Sequence, residues 1–235
     1  MPKESRIDID KIDIDKMVDD IDRSIHQPGR NTAEIRSIRR TFSKTLNKAA
    51  PKEVIQISLS LLGRGGFTNR WISYELVCHH REAFRSLNAT LLEQFGQGLD
   101  SWGAVDTFAS YLSGPAWRES QVPDSLIHKW ARSKDRWWRR AALVSTVPLN
   151  NKTRGGNGDA ARTLAVCEML LDDRDDMVVK ALSWALRELA KRDAKAVSKF
   201  LSQHDDRIAA LVRREVKNKL STGLKNPKQK PAAAK

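Results

Sequence analysis

Two tryptophans, one aspartate and one arginine form the pattern in this sequence that is best suited to chemistry. Trp102 and Asp106 lie four residues apart in SWGAVDTFASYL, so on a helix they project side by side off the edge of the apolar stripe. Trp184, in KALSWALRELAK, falls opposite the apolar face at about 100° per residue. In DRWWRRAALV, Trp138 is expected to pack inward and Arg140 to face a partner.

These side-chain types suit the stabilisation of a sugar cation beside a phosphate. An oxocarbenium-like species is stabilised by aromatic faces and by a nearby carboxylate in a partly dehydrated site. The Asp106 carboxylate can also orient a water for attack at the anomeric carbon. Arg140 can hold a flanking phosphate with charge-assisted hydrogen bonds. Together these residues indicate hydrolysis of an N-glycosidic bond in DNA.

Each of these residues also has a purely structural interpretation. An aspartate near a helix start is often a cap or a surface charge. Trp184 can be a surface aromatic that covers a neighbouring repeat, and Arg140 can belong to a solvated or inter-repeat ion pair. The chemical interpretation is favoured because all three structural roles would otherwise have to coincide in one repeat register.

The charge of the chain points to a polyanionic partner. Its 42 Lys and Arg against 29 Asp and Glu give a formal net charge of +13 and a pI near 10.0, enough to attract nucleic acid along a whole face. The first 22 residues carry a net −4, which leaves +17 for the rest. The basic residues expected at DNA are Arg136, Lys180, Arg187, Lys191, Arg213 and Arg214.

The apolar spacing predicts an all-helical fold. From about Thr32 onward, apolar residues recur at intervals of three and four, between short breaks such as GRGGFTN and LSGPA. Similar segments with a basic residue begin at Arg139, Val179 and Arg213, with offsets of 40 and 34 residues, close to HEAT-like helix pairs. Each is preceded by an acidic residue, Asp135, then Asp175 or Asp176, then Asp205 or Asp206. We predict a right-handed superhelical solenoid of antiparallel helix pairs with a concave basic groove.

This pattern divides the chain into three predicted segments. Residues 1–31 are a charged, partly flexible arm, 32–220 the repeat domain, and 221–235 a disordered basic tail with four lysines and no acid. Within the arm, IDIDKIDIDK alternates like a strand, but so charged a segment is more often a frayed arm or a helix lead-in.

Other site and compartment classes find little support. Cys78 and Cys167 are too few for a disulfide framework or a zinc finger, which favours a reducing compartment. The adjacent Cys78, His79 and His80 would point apart on a helix, so no metal site is expected. Without a signal peptide or a run of about 18 apolar residues, we expect a cytoplasmic, nucleoid-associated protein with no membrane contact. A monomer is the default expectation for a short solenoid.

Four blocks together resemble a known family. SWGAVD, DRWWRRAALV, KALSWALRELAK and VRREVKNKL follow one another as in the AlkD-type DNA alkylation repair family, which are HEAT-like-repeat DNA glycosylases. The resemblance covers roughly residues 35–220. It implies that Asp106 is the catalytic aspartate, that Trp102 and Trp184 are the active-site tryptophans, and that Arg140 is the arginine of the catalytic cleft.

The resemblance also implies an activity. The expected substrates are cationic alkylpurines in duplex DNA, chiefly 7-methylguanine and 3-methyladenine, removed without a metal or other cofactor. The damaged base need not be flipped into a pocket, unlike in most glycosylases. A base that already carries a positive charge leaves as a neutral molecule, so no strong general acid is required.

A second class of function is a HEAT-like nucleic-acid-binding scaffold without catalysis. In that case Trp102 and Trp184 only pack on a nucleic-acid backbone. A scaffold has no need of Asp106, whose negative charge would repel phosphate. An Asp106 turned into a buried ion pair away from the groove would favour the scaffold.

Overall fold

The computed structural model describes residues 12–227, and helices dominate this part of the chain. No strand occurs among these residues, which confirms the all-α prediction. None of their helices is both long and apolar enough to cross a membrane. The chain divides between Ser86 and Leu87 into two compact units, where the sequence predicts one repeat domain over 32–220.

The N-terminal unit contains five α-helices within residues 12–86. They are α1 (Ile14–Ile25), α2 (Thr32–Thr45), α3 (Pro51–Gly63), α4 (Phe67–Cys78) and α5 (Arg81–Arg85), with a 3-10 turn (Leu46–Lys48) after α2. Helix α1 packs on α2 and α3, α3 packs on α4, and α5 packs on both α3 and α4. The core of this unit therefore lies between α1, α3 and α4.

The packed structure begins earlier than the predicted start at residue 32. Asp13 caps α1 by accepting a hydrogen bond from the Lys16 amide, and Val18, Ile21 and Ile25 are buried. These three residues have helical spacing, but they follow the alternating IDIDK units that suggest an arm. The first of these units, residues 7–11, lies outside the described residues, as does most of the predicted tail, 228–235.

The C-terminal unit contains ten α-helices within residues 87–227. They are α6 (Ala89–Phe95), α7 (Trp102–Phe108), α8 (Gly114–Arg118), α9 (Asp124–Ala131), α10 (Arg136–Ser145), α11 (Val147–Asn150), α12 (Ala160–Met169), α13 (Asp176–Leu189), α14 (Ala194–Gln203) and α15 (Ala210–Thr222). A π-helix (Ala109–Ser113) follows α7, and a 3-10 turn (Lys152–Arg154) follows α11.

The helices of this unit form two rows. In the first row α7, α10, α13 and α15 pack side by side in chain order. Helices α9, α12 and α14 contact this row, and α9 also packs on α12. This pairing is consistent with the predicted helical repeat. The right-handed superhelix and the concave groove stay predictions.

The acids that recur before the repeat segments have structural roles. Asp135 caps α10 through the Trp137 amide, and Asp175 caps α13 through the Met177 amide. Such caps satisfy backbone N–H groups that have no partner inside the helix. The repeat pattern in the sequence thus reflects helix starts as well as basic surface.

Gly114, at the start of α8, allows α8 to approach α10 and α11 closely. A Cβ at this position would lie 2.6 Å from Pro148 Cγ and 2.8 Å from the backbone oxygens of Ala109 and Ser145. Backbone atoms cannot move aside as a flexible side chain can. Gly114 therefore sets the distance between the π-helix that follows α7 and helix α10.

Gly114→Ala is expected to lower the free energy of unfolding by about 1–3 kcal/mol, because the added methyl overpacks a backbone crossing. Gly63→Ala is the matched control, since a Cβ there meets nothing within 4 Å, and its effect should stay within about 0.5 kcal/mol. Urea unfolding of both variants measures the difference. Equal midpoints for the two would contradict this account of Gly114.

Candidate active site

Helix α7 places an exposed indole one turn before a partly buried carboxylate. Ser101 caps the helix by accepting from the Ala104 amide at 3.4 Å. The Trp102 residue is 61% exposed, whereas the Asp106 side chain keeps only 20% of its exposure. The predicted placement of both side chains on one helix edge is thus found, with Trp102 in solvent and Asp106 in a partly dehydrated position.

Arg140 holds the Asp106 carboxylate with two hydrogen bonds. Arg140 Nε donates to Asp106 Oδ1 and Nη2 donates to Oδ2, both at 2.9 Å. Arg140 Nη1 donates to the Met177 carbonyl oxygen at 2.6 Å. The guanidinium therefore ties α7, α10 and the first turn of α13 together, and a bidentate contact fixes the plane of the carboxylate.

Burial sets the protonation chemistry of this carboxylate. Desolvation raises the pKa of Asp106 above its ordinary value, and the hydrogen bonds and positive charge of Arg140 oppose this rise. Arg140 therefore favours the ionised form of Asp106, which is the form able to stabilise positive charge.

A cluster of aromatic rings supports the α7–α10 contact. Phe108, two residues after Asp106, packs on Trp130 with centroids 5.9 Å apart and on Trp138 edge-to-face at 6.1 Å. Trp130 and Trp138 lie 4.8 Å apart. Such pairs add to the energy of area burial. Trp138 packs in this cluster, in agreement with its predicted inward position.

The structure corrects the predicted environment of Arg140. The helical wheel places it on a partner-facing side, but the residue is buried in the inter-repeat ion pair with Asp106. This is the structural alternative considered for Arg140. Its partner lies 34 residues away in the chain, so the angular position of Arg140 on its own helix carries no sign of it.

Trp184 lies in α13, two turns after Met177, and is half-buried. It sits outside the fully buried stripe of this helix. The predicted stripe of Val178, Leu182, Ala185, Leu186 and Leu189 is buried, and burial extends beyond it to Val179, Ala181, Ser183 and Glu188. Helix α13 packs on α10, so the two active-site tryptophans expected from the sequence occupy helices on either side of the one that carries Arg140.

Four of the six basic residues expected at DNA are exposed. Arg136, Lys180, Lys191 and Arg214 have exposed side chains. Arg136 lies over the Trp137 ring at 4.7 Å. Lys180 pairs with Asp176 on its own helix, and Lys191, just after the end of α13, pairs with Glu188. Ion pairs of this kind contribute little where they are exposed. These residues remain available to an anionic partner.

The other two basic residues are engaged within the protein. Arg187 Nε donates to Ser183 Oγ at 3.1 Å and lies 3.7 Å from Glu215 Oε2, and burial lowers the pKa of Arg187. Arg213 donates to backbone carbonyls and pairs with Asp205 at 3.3 Å. Both side chains brace neighbouring elements, so their predicted contact with DNA is less direct than that of the four exposed residues.

A second tryptophan–carboxylate–arginine cluster lies in the N-terminal unit, and sequence reasoning missed it. Trp71 Nε1 donates to Glu75 Oε1 at 2.7 Å, and Arg39 Nε donates to Glu75 Oε2 at 2.8 Å. The Trp-x-x-x-acid spacing is the same as that of Trp102 and Asp106 and is the signal that marks it. The Glu75 residue is only 2% exposed, so this cluster is a structural counterpart without access for a substrate.

The fold and the site define an all-helical repeat protein with a fixed, partly dehydrated carboxylate beside an exposed indole. The chain belongs to the family of DNA alkylation repair enzymes, whose family model matches residues 22–220. No individual curated protein matches it. Family membership confirms the resemblance carried by the four sequence blocks and gives the chain a role in DNA alkylation repair.

Among residues 12–227, no three His, Cys, Asp or Glu side chains are grouped to hold a metal ion.

Proposed function

We propose that this protein is a DNA glycosylase that hydrolyses the N-glycosidic bond of 7-methylguanine and 3-methyladenine in duplex DNA. One observation carries the proposal. The Asp106 carboxylate is held in a fixed plane by Arg140 while part of it stays exposed, one helical turn from the exposed Trp102. The family of DNA alkylation repair enzymes supplies the class of substrate.

The proposed reaction needs little proton transfer to the leaving group. As the bond from C1′ to the purine nitrogen breaks, its electron pair moves to the base and cancels the positive charge of the lesion. The sugar then becomes cationic, and a preorganised carboxylate stabilises it without reorganising. Water adds to C1′ through its oxygen, and its proton passes to Asp106 or to solvent.

In this mechanism the other site residues have separate tasks. Trp102 and Trp184 contact the deoxyribose of the lesion with their aromatic faces. Arg140 positions Asp106 and does not make the flanking-phosphate contact expected from the sequence, because its Nε, Nη1 and Nη2 atoms are already engaged. Exposed basic side chains such as those of Arg136 and Arg214 contact the phosphates.

The remaining parts of the proposal follow the sequence analysis and the family resemblance. The protein acts as a monomer on alkylated duplex DNA in the cytoplasm, associated with the nucleoid. It requires no metal or organic cofactor, and the damaged base is not flipped into a pocket.

The proposal is tested by single-turnover release of free 7-methylguanine from methylated duplex DNA, in the presence of a chelator. We expect release from methylated DNA and none from a duplex that contains uracil, because a neutral base leaves poorly without a strong general acid. The released base is measured by chromatography. Tight, salt-dependent DNA binding without release of either base would overturn the glycosylase proposal.

The ion pair is also compatible with a second candidate, a DNA-binding scaffold without catalysis. Arg140 neutralises Asp106, which weakens the argument that the carboxylate would repel phosphate. The pair does not separate the two candidates, because the same contact would also orient a catalytic carboxylate. The release assay separates them directly.

A further inference from the structure

Helix α2 of the N-terminal unit carries a line of basic side chains that the proposed mechanism does not use. Arg36, Arg40 and Lys44 follow one another at intervals of four residues, and Lys48 ends the 3-10 turn after the helix. All four are exposed. We call them the α2 basic stripe. Each interval of four residues advances about 6 Å along the helix axis and slightly more than one turn, so Arg36, Arg40 and Lys44 lie along one side of α2.

Buried contacts fix this helix in place. Arg39, between two stripe residues, is buried and donates to Glu75 at 2.8 Å. The Arg36 guanidinium lies 5.3 Å from the centroid of the Trp71 ring, and its Nε lies 3.9 Å from Glu75 Oε1. The first charge of the stripe is therefore held by an aromatic face, which lowers the entropy lost when it binds a ligand.

The rest of the stripe has no internal counter-ion. Arg40, Lys44 and Lys48 make no ion pair with any residue in the described range 12–227, unlike Lys180 or Lys191. The single acid of α2, Glu34, is occupied in the capping box with Asn31. Uncompensated positive charge along a fixed line attracts a polyanion.

The chemistry of the stripe favours a phosphate backbone over a membrane surface. A helix that binds at a lipid surface needs exposed large apolar residues beside its charges. In the described part of the chain such residues are Phe67, Trp102 and Leu224, and none belongs to α2. The exposed side chains between the basic residues are the hydroxyl residues Ser37, Thr41 and Thr45 and the amide Asn47, which suit phosphate oxygens.

We infer that the α2 basic stripe binds the phosphate backbone of duplex DNA, as a surface additional to the site around Asp106. The inference takes its partner from the proposed function. Because Arg, Lys and hydroxyl contacts with phosphates carry no base information, the stripe would add affinity for any sequence, damaged or not. It would hold the protein on DNA while a lesion is located.

The test compares two pairs of substitutions that remove the same charge. Arg40→Gln with Lys44→Gln removes two stripe residues. Lys195→Gln with Lys199→Gln removes two exposed bases that are also four residues apart, on α14, and that make no ion pair with residues 12–227. Binding of an unmodified short duplex is measured by fluorescence anisotropy over a series of salt concentrations, after thermal unfolding confirms that both variants are folded.

The stripe variant should bind about tenfold more weakly at low salt, and the slope of log K against log salt should fall by about 2, since each phosphate contact contributes about 0.9. The α14 variant should keep the wild-type slope. Equal slopes for both variants would overturn the inference. So would unchanged DNA binding combined with lost binding to vesicles of phosphatidylcholine and phosphatidylserine, which would identify a membrane surface.

This measurement separates the inference from the proposed function. It uses undamaged DNA, so it needs no catalysis. A protein that releases no 7-methylguanine but shows the predicted slope change would retain the stripe as a DNA surface and lose the glycosylase proposal. The reverse result would retain the glycosylase and remove the stripe.

Discussion

Replacing Asp106 by Asn is expected to slow the single-turnover release of 7-methylguanine by at least tenfold, and by about a hundredfold if the carboxylate supplies close to 3 kcal/mol. The amide keeps an oxygen that can accept from Arg140 but carries no charge. It cannot stabilise the sugar cation that forms as the base leaves. Binding of the methylated duplex should be retained, because the phosphate contacts do not involve Asp106.

The control for this prediction lies in the N-terminal unit. Glu75→Gln removes the charge of another buried carboxylate that is bound by an arginine, Arg39, at 2.8 Å. We expect both variants to be less stable, since each leaves a buried guanidinium without its counter-charge. The Glu75 variant should release 7-methylguanine at the wild-type rate. Equal losses of rate in the two variants would assign Asp106 a purely structural role.

Replacing Arg140 by Met should have the largest effect on stability, and it should also change the pH dependence of release. Removal of one partner of a buried pair leaves a charge uncompensated and costs about 3–5 kcal/mol. Burial already raises the pKa of Asp106, and Arg140 is the group that opposes the rise. Without Arg140 this pKa should move higher still, so the carboxylate becomes protonated at a higher pH.

The sign of both effects follows from that shift. Release requires ionised Asp106, so the fall in rate on acidification should begin at a higher pH in the variant than in wild type. Folding shows the opposite dependence, because a folded pKa above the unfolded value favours the protonated state. The stability lost in the variant should therefore be greatest at high pH and should be partly recovered as the pH falls through the folded pKa.

Rate–pH profiles and urea unfolding at several pH values measure these two effects. Arg140→Lys, which keeps the positive charge but loses the bidentate geometry, should restore the acid limb toward wild type and recover less of the rate. A loss of stability without any change in the acid limb would mean that Arg140 braces the helices and does not position the carboxylate.

Helix periodicity in the sequence was enough to predict much of the C-terminal unit. The buried stripe of α13 around Leu182 and Leu186 follows from residue spacing alone, as does the shared edge of Trp102 and Asp106 on α7. Both depend on angles within a single helix, which are fixed by 3.6 residues per turn. The family resemblance rested on four such local blocks and was confirmed over residues 22–220.

Helix α1 shows that residue spacing within one helix is not enough to predict whether that helix packs. Its buried residues Val18, Ile21 and Ile25 have helical spacing, yet the charged alternation before them favours an arm. A charged face is compatible with a packed helix when the opposite face finds a partner. Here α2 and α3 provide that partner. Their positions depend on residues outside α1, so the sequence of α1 alone does not show that it packs.

The sequence by itself determined that the protein is helical, that it is basic, that it belongs to the DNA alkylation repair family, and which side chains are candidates for chemistry. Only the tertiary structure decided that Arg140 turns inward to hold Asp106, that Met177 takes part through its carbonyl, and that Arg187 braces the neighbouring helix α15 through Glu215. The physical reason is that spacing within a helix gives a direction for each side chain but not the atom it meets. For Arg140 that atom belongs to a helix 34 residues away.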